Sequence, residues 1–388
     1  MKTSQSPSPK KQPYKFKNLI ALSTGYFVDQ GEAQAMSIFS PVLRQIWNLS
    51  IGNLSWITFI RSLLQALSSP FWGYMADTFA PKVRGRMLGY LEGIGVLGII
   101  VFTMGLGSLA TPELWRWGFI ILGVASIISG VIILLVVKEP IRGQSEPEMK
   151  GQLTQAQADK YKIQVEDLTK VLKIPTIRVA ILQGLAGSMP WVIMGAFLIL
   201  WLVEERGLST QQAPIVFGIM LVGTAISNVM GGIIGDWAEQ KSPKYGRAFI
   251  GQMSVIFGIP LTIILLTRTE NWSIPALTAF SFFIGLLISW PGKGSKEPMM
   301  AAVVPPELRS TAFAMTTFVE SGFAAIVALV FGLIADKIDL QTAMFWTIPI
   351  PWIVCAILFS GFYFTYPKDR EKQHLLMKQR AEELGINQ

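Results

Sequence analysis

GYMADTFAPKVRGRML, residues 73–88, closes one apolar segment and opens another within sixteen residues. Its first five residues recur 159 positions later as Gly232-Ile-Ile-Gly-Asp236, again at the end of an apolar segment and followed by basic residues. Its later part recurs at a different offset. Pro81-Lys-Val-Arg84-Gly matches Pro306-Glu-Leu-Arg309-Ser, 225 positions on, and each opens an apolar segment with a glutamate among small residues, Glu92 and Glu320. Seven residues separate Asp77 from Arg84, whereas 73 separate Asp236 from Arg309. The surplus of 66 residues is about two membrane helices with their loops. Repeated halves are a mark of transporter architecture. The stretch therefore reads as a junction of two loops that a helical hairpin would ordinarily separate, in a chain whose first half is shorter than its second.

The composition supports a membrane setting. Of the 388 residues 51% are apolar and 15% charged, and the mean hydropathy is +0.45, outside the range of soluble domains. Ten apolar segments are expected to span a bilayer core of about 30 Å: 18–41, 55–76, 87–110, 117–137, 177–203, 213–235, 248–267, 274–303, 311–334 and 343–365. With the N-terminus inside, 27 of the 33 Lys and Arg fall on inner flanks, with Lys293 and Lys296 at the inner end of the segment 274–303 counted as flank, five fall on outer flanks, and Arg61 lies within a span. That asymmetry predicts cytoplasmic termini. The expected organisation is a tail over 1–17, a four-helix bundle over 18–137, a polar linker over 138–176, a six-helix bundle over 177–366 and a tail over 367–388. No small-residue cleavage site follows the first apolar run, so that run is expected to be retained.

Other functions lack a basis in the sequence. The basic residues cluster between apolar runs rather than along one face, which excludes nucleic acid as an expected partner. The single cysteine, Cys355, and the single histidine, His374, leave no metal or disulfide framework. Trp290-Pro-Gly-Lys-Gly-Ser-Lys296 lacks the spacing of a phosphate loop, and neither a H-E-x-x-H nor a G-x-S-x-G pattern occurs. Neither an enzymatic activity nor a cofactor is expected.

These residues resemble the major facilitator superfamily of secondary transporters. Pro70-Phe-Trp-Gly73-Tyr-Met-Ala-Asp77 is similar to its loop signature after helix 2, and Gly232 to Asp236 with Arg247 is similar to the counterpart after helix 8. Lys138-Glu-Pro-Ile-Arg142-Gly and Trp115-Arg-Trp-Gly-Phe119 resemble the spinster-like branch. The resemblance implies an all-α polytopic fold of two bundles around a cavity, here with about ten helices (4 + 6) and the helix 3–4 pair of the first half missing. It also implies that Gly73, Asp77, Arg84, Arg86, Gly232, Asp236 and Arg247 form cytoplasmic gating motifs. The glycines of residues 87–110 lack the Gly-Pro-x-x-Gly-Gly element of drug/proton antiporters, and close helix packing is their expected role.

Ionisable groups inside spans are costly and mark candidate sites. Asp29 and Glu32, three residues apart, share one helical face. Two carboxylates so close in a low dielectric repel, and a shared proton relieves the repulsion, as a proton carrier requires. Arg61 is expected at a similar depth, as a counter-ion for one of them, with a structural ion pair as the alternative. Glu320 is the mid-span acid of the second half. Glu92 and Gln183 are secondary candidates, and Gln65, Asn228, Trp191, Trp201 and Trp290 are further residues suited to lining a cavity. The expected function is alternating-access transport of a small organic or lipid-like solute, coupled to protons, in the cytoplasmic membrane. The partners would be that solute, protons and membrane lipid. The alternative is a degenerate, non-transporting receptor or scaffold, because a missing helix pair would expose cavity surface.

Overall fold

The computed structural model describes residues 14–76, 81–137, 170–305 and 308–383. Asp77 and most of the linker lie outside the described residues, as do the side chains of Gln65, Arg84, Arg86 and Glu92. All the secondary structure of the described residues is helical. The first half supplies α1 (Tyr14–Trp47), α2 (Ile51–Ala76), α3 (Pro81–Gly107) and α4 (Trp115–Val136). The second supplies α5 (Pro175–Glu204), α6 (Gln212–Lys241), α7 (Gly246–Arg268), α8 (Ile274–Ile288), a π-helical turn (Pro291–Lys296), α9 (Glu297–Val303), α10 (Arg309–Ile338), α11 (Leu340–Thr347) and α12 (Pro349–Glu383).

Among the described residues seven helical stretches, from α4 onward, are long and apolar enough to cross a membrane, counting α8 with α9 and α11 with α12 as one stretch each. Ahead of them α1, α2 and α3 run for 34, 26 and 27 residues. Each of the ten apolar segments read from the sequence coincides with a helix or a broken pair. Residues 274–303 differ from the single helix expected there. Pro291 offers no N–H, and Gly292 and Gly294 weaken the helix, so the segment breaks after Ile288 and re-forms through the π-helical turn. The last segment breaks at Ile348, and Pro349 opens α12. α12 then continues as one helix to Glu383, so the polar tail from residue 367 is a continuation of the last span. Asp369 fastens this extension by accepting the backbone N–H (2.8 Å) and hydroxyl (2.6 Å) of Thr176 at the start of α5.

In the first half α1 packs on α3 and α4, while α2 packs chiefly on α10 of the second half. In the second half α5 packs on α12 and α10, α6 on α8, and α7 on α12 and the π-helical turn. α1 against α5 and α3 against α6 complete the contact between the halves. Small residues set these distances. A side chain at Gly98 would collide with the Phe27 carbonyl, and one at Gly95 with Tyr26, which brings α3 against α1, whereas Gly93 and Gly105 face open space.

Candidate functional site

The π-helical turn brings a cation into the interior of the second half. Lys296 Nζ lies 2.7 Å from Glu320 Oε1 of α10, with both side chains mostly buried. Gly184 of α5 makes room for the pair, since a Cβ there would collide with Glu320 Oε1 and lie 3.0 Å from Lys296 Nζ. Around the pair is a cavity of about 220 Å3, lined by Gln183, Trp191, Trp352 and Cys355 among others. Gln183 donates from Nε2 to Cys355 Sγ at 3.1 Å, and its buried Oε1 has no partner. Trp191 and Trp352 meet edge to face, with centroids 6.4 Å apart. The sequence reading includes Glu320 and Gln183 but misses Lys296, which it assigns to a basic flank. The missed signal is the Pro and Gly interruption of an apolar span, the usual sign of a discontinuous helix at a transporter site.

The first half holds a second, larger cavity of about 540 Å3, and Asp29, Glu32 and Arg61 all line it, with Met36, Leu64 and Phe119. Asp29 accepts from Gln30 Nε2 at 3.2 Å, and Glu32 accepts from the Ser126 hydroxyl of α4. Arg61 closes an ion pair with neither acid in this conformation, although all three line the same cavity. The separation follows from packing, because α2 is held by α10 and faces α1 across the space. Trp201 and Trp290 do not serve as walls of either cavity. Trp201 donates to Gln341 Oε1 at 2.7 Å and carries the Arg206 guanidinium 4.2 Å from its ring. Trp290, between α8 and the π-helical turn, donates to the Leu286 carbonyl of α8. Arg206, in the loop after α5, also donates to the Leu266 carbonyl at 2.6 Å. Burial lowers its pKa from the ordinary value, and Glu270 and Glu205 oppose that shift.

Contacts between the halves gather at the end bearing the α1–α2 turn. Arg44 pairs with Glu204 at 2.8 Å. Asp336 accepts the N–H groups of Ile51 and Gly52. Thr210 and Gln211, between α5 and α6, donate to the carbonyls of Ala110 and Ser108 after α3. Close approach reinforces the bonds, since a Cβ on Gly332 of α10 would collide with that of Ser55 on α2. This end is shut.

At the opposite end, Arg247 at the start of α7 donates to Asp236 and Glu239 of α6 and, at 3.1 Å, to the Gly294 carbonyl. Glu239 also pairs with Arg370 of α12 at 3.0 Å. Arg247 therefore ties the Gly-Asp motif, which lies in the last turns of α6, to the π-helical turn that carries Lys296. Gly231 and Gly235, one helical turn apart, allow α6 to approach Trp290 and Gly294 of that region, while Gly232 faces open space. Asp77, Arg84 and Arg86 of the corresponding first-half motif lie outside the described residues or side chains.

The description of the Major Facilitator Superfamily fits residues 75–292, more than half of the chain, and the protein belongs to that superfamily. The chain is 22% identical over 269 residues to an MFS-type efflux pump of Mycolicibacterium smegmatis, covering 68% of this chain and 58% of the pump. It is 23% identical over 307 residues to Protein spinster homolog 1 of Xenopus tropicalis, covering 74% of this chain and 56% of that protein. The alignments thus span little more than half the length of these relatives. The fold is similar to that of a bacterial homologue of the human lysosomal transporter Spinster in its inward-facing, unoccupied conformation. The TM-score is 0.67, with 16% identity over 94% of this chain and 99% of that one. The spinster-like resemblance read from the sequence is met by two of these three proteins, and the all-helical major-facilitator fold is the one observed.

Proposed function

We propose that the protein is a secondary transporter that moves a small organic solute across the cytoplasmic membrane by alternating access, in exchange or symport with protons. In this reading ten spans place both termini in the cytoplasm, so the shut end faces outward and the conformation is inward-facing. The observation that carries the proposal is the presence of one acid-lined cavity in each half beneath a shut end. Asp29, Glu32 and Arg61 face the first cavity, and Glu320 with Lys296 faces the second. Burying such groups in a membrane protein is expensive unless they act on a permeating ion or solute. An alternating-access cycle needs this arrangement, with polar groups at mid-depth and a seal that re-forms on the other side.

The test is flux in proteoliposomes loaded with a pH indicator and given a panel of small solutes with and without a pH gradient. The expected result is solute-dependent proton movement that Glu32→Gln reduces at least tenfold. Absence of both solute and proton movement across the panel, in protein that melts cooperatively, would instead support the receptor or scaffold reading. The open space between α2 and α1 is the feature that favours that second reading.

A further inference from the structure

We infer that the second-half cavity binds a small hydroxylated carboxylate, and that the ligand and Glu320 compete for Lys296. The inference rests on the transport reading above and names its substrate class. Three observations support it. Lys296 is delivered to the interior by a break in its helix and has Glu320 as its partner at 2.7 Å. Gln183 Oε1, in a residue only 4% exposed, is an unpartnered acceptor among the residues lining the same cavity. The cavity, at about 220 Å3, equals the liquid volume of about seven waters at roughly 30 Å3 each, which suits a solute of a few carbons.

The chemistry follows from those groups. A cation with one carboxylate partner can exchange it for another of the same charge, so an incoming carboxylate takes the place of Glu320 on Lys296. A buried carboxylate left without its cation is strongly disfavoured, so Glu320 takes one proton from water. The site then holds one ammonium, one bound anion and one neutral acid, the same sum of charge as before. Lys296 from the π-helical turn and the Cys355 thiol from α12 face Glu320. α5 faces it with neutral Gln183 and Gly184. α9 carries Glu297, held by Lys293 at 3.0 Å, and Arg61 of α2 lines the other cavity. Among the described residues no second fixed cation lines this cavity to hold Glu320 ionised once Lys296 turns away. Gln183 Oε1 requires a donor, which a ligand hydroxyl supplies, and the Trp191 and Trp352 rings cover its carbon chain.

The test uses purified protein in detergent, with tryptophan fluorescence as the binding signal and a pH dye in weak buffer as the proton signal. D-Glycerate is the probe, glycerol its uncharged analogue and propionate its hydroxyl-free analogue. Glycerate should bind at least tenfold more tightly than either analogue, with about one proton taken up per molecule bound. Glu320→Gln should bind glycerate without proton uptake, and Lys296→Gln should lose binding at least tenfold. Lys296→Arg, which keeps the charge, guards against a folding defect. Gln183→Leu should bring glycerate and propionate to equal affinity. Equal binding of glycerate and glycerol, or glycerate binding undiminished in Lys296→Gln, overturns the inference. Binding needs no flux, so the two readings fail separately. Glycerate bound but never transported counts against transport, and flux of other solutes without glycerate binding counts against this site.

Discussion

The carboxylate of Asp336, near the end of α10, accepts the backbone N–H of Gly52 at 2.8 Å and that of Ile51 at 2.7 Å, so that a side chain of one half caps a helix of the other. A capping carboxylate satisfies N–H groups that the helix itself cannot and opposes the positive end of its dipole. Its removal costs about 1 kcal/mol, or roughly fivefold in an equilibrium between shut and open. Asp336→Ala is expected to speed the labelling of a cysteine at Ser55 by an impermeant maleimide about that much, in a Cys355→Ser background. Gly52→Ala should act in the same direction, because its Cβ would lie 2.5 Å from Asp336 Oδ2. An unchanged labelling rate in both variants would remove Asp336 from the seal.

Arg44 and Glu204 also bridge the halves, but both side chains are about one third exposed. An exposed pair contributes about 0.2–1 kcal/mol. Arg44→Ala should therefore accelerate the same labelling less than Asp336→Ala does, and the double charge swap Arg44→Glu with Glu204→Arg should restore most of the loss. A larger effect from Arg44 than from Asp336 would reverse this ranking of the two contacts.

Gly232 and Gly235 predict opposite outcomes in one helix. A Cβ on Gly235 would collide with the Gly294 carbonyl, a backbone atom, whereas one on Gly232 meets nothing within 4 Å. Gly232→Ala should leave thermal stability unchanged or raise it by up to about 1 kcal/mol through helix propensity. Gly235→Ala should lower it by about 1–3 kcal/mol through overpacking. Melting in detergent separates them, and equal midpoints would show that α6 and the π-helical turn are not in tight contact.

Arg247 donates to two carboxylates and one carbonyl, and its own side chain is only 10% exposed. Arg247→Ala should destabilise the second half by about 1–3 kcal/mol, the range for hydrogen bonds to charged groups, discounted because Asp236 is largely solvated. Arg247→Lys should be intermediate, since an ammonium cannot reproduce the forked geometry of a guanidinium. The check is the melting midpoint of each variant in the same detergent, and a lysine variant as stable as the parent would sink the geometric argument.

The membrane class and the helix positions are legible in the residues because an apolar run of about twenty is the length a helix needs to cross the bilayer core. The helix break at Pro291 is also written there, yet charge alone assigns Lys296 to a flank, since basic residues near the end of a span usually lie outside it. Only tertiary packing shows that the π-helical turn carries it inward. Asp29, Glu32 and Arg61 line one cavity, but the distance between them depends on which helix holds α2, and sequence does not specify that. The match to Gly73 singles out Gly232. The close contacts fall at Gly231 and Gly235, because the face that a helix buries depends on its rotation as well as on its motif.

The grip of α10 on α2 has a mechanical consequence. Rigid bodies follow contact surfaces, not the order of the chain, and the strongest surface available to α2 belongs to the opposite half. In the proposed transport cycle α2 is then a passenger of the second half, and Arg61 is carried past Asp29 and Glu32 like a contact arm sweeping two fixed terminals. The distance between that cation and those acids becomes a gauge of the stroke.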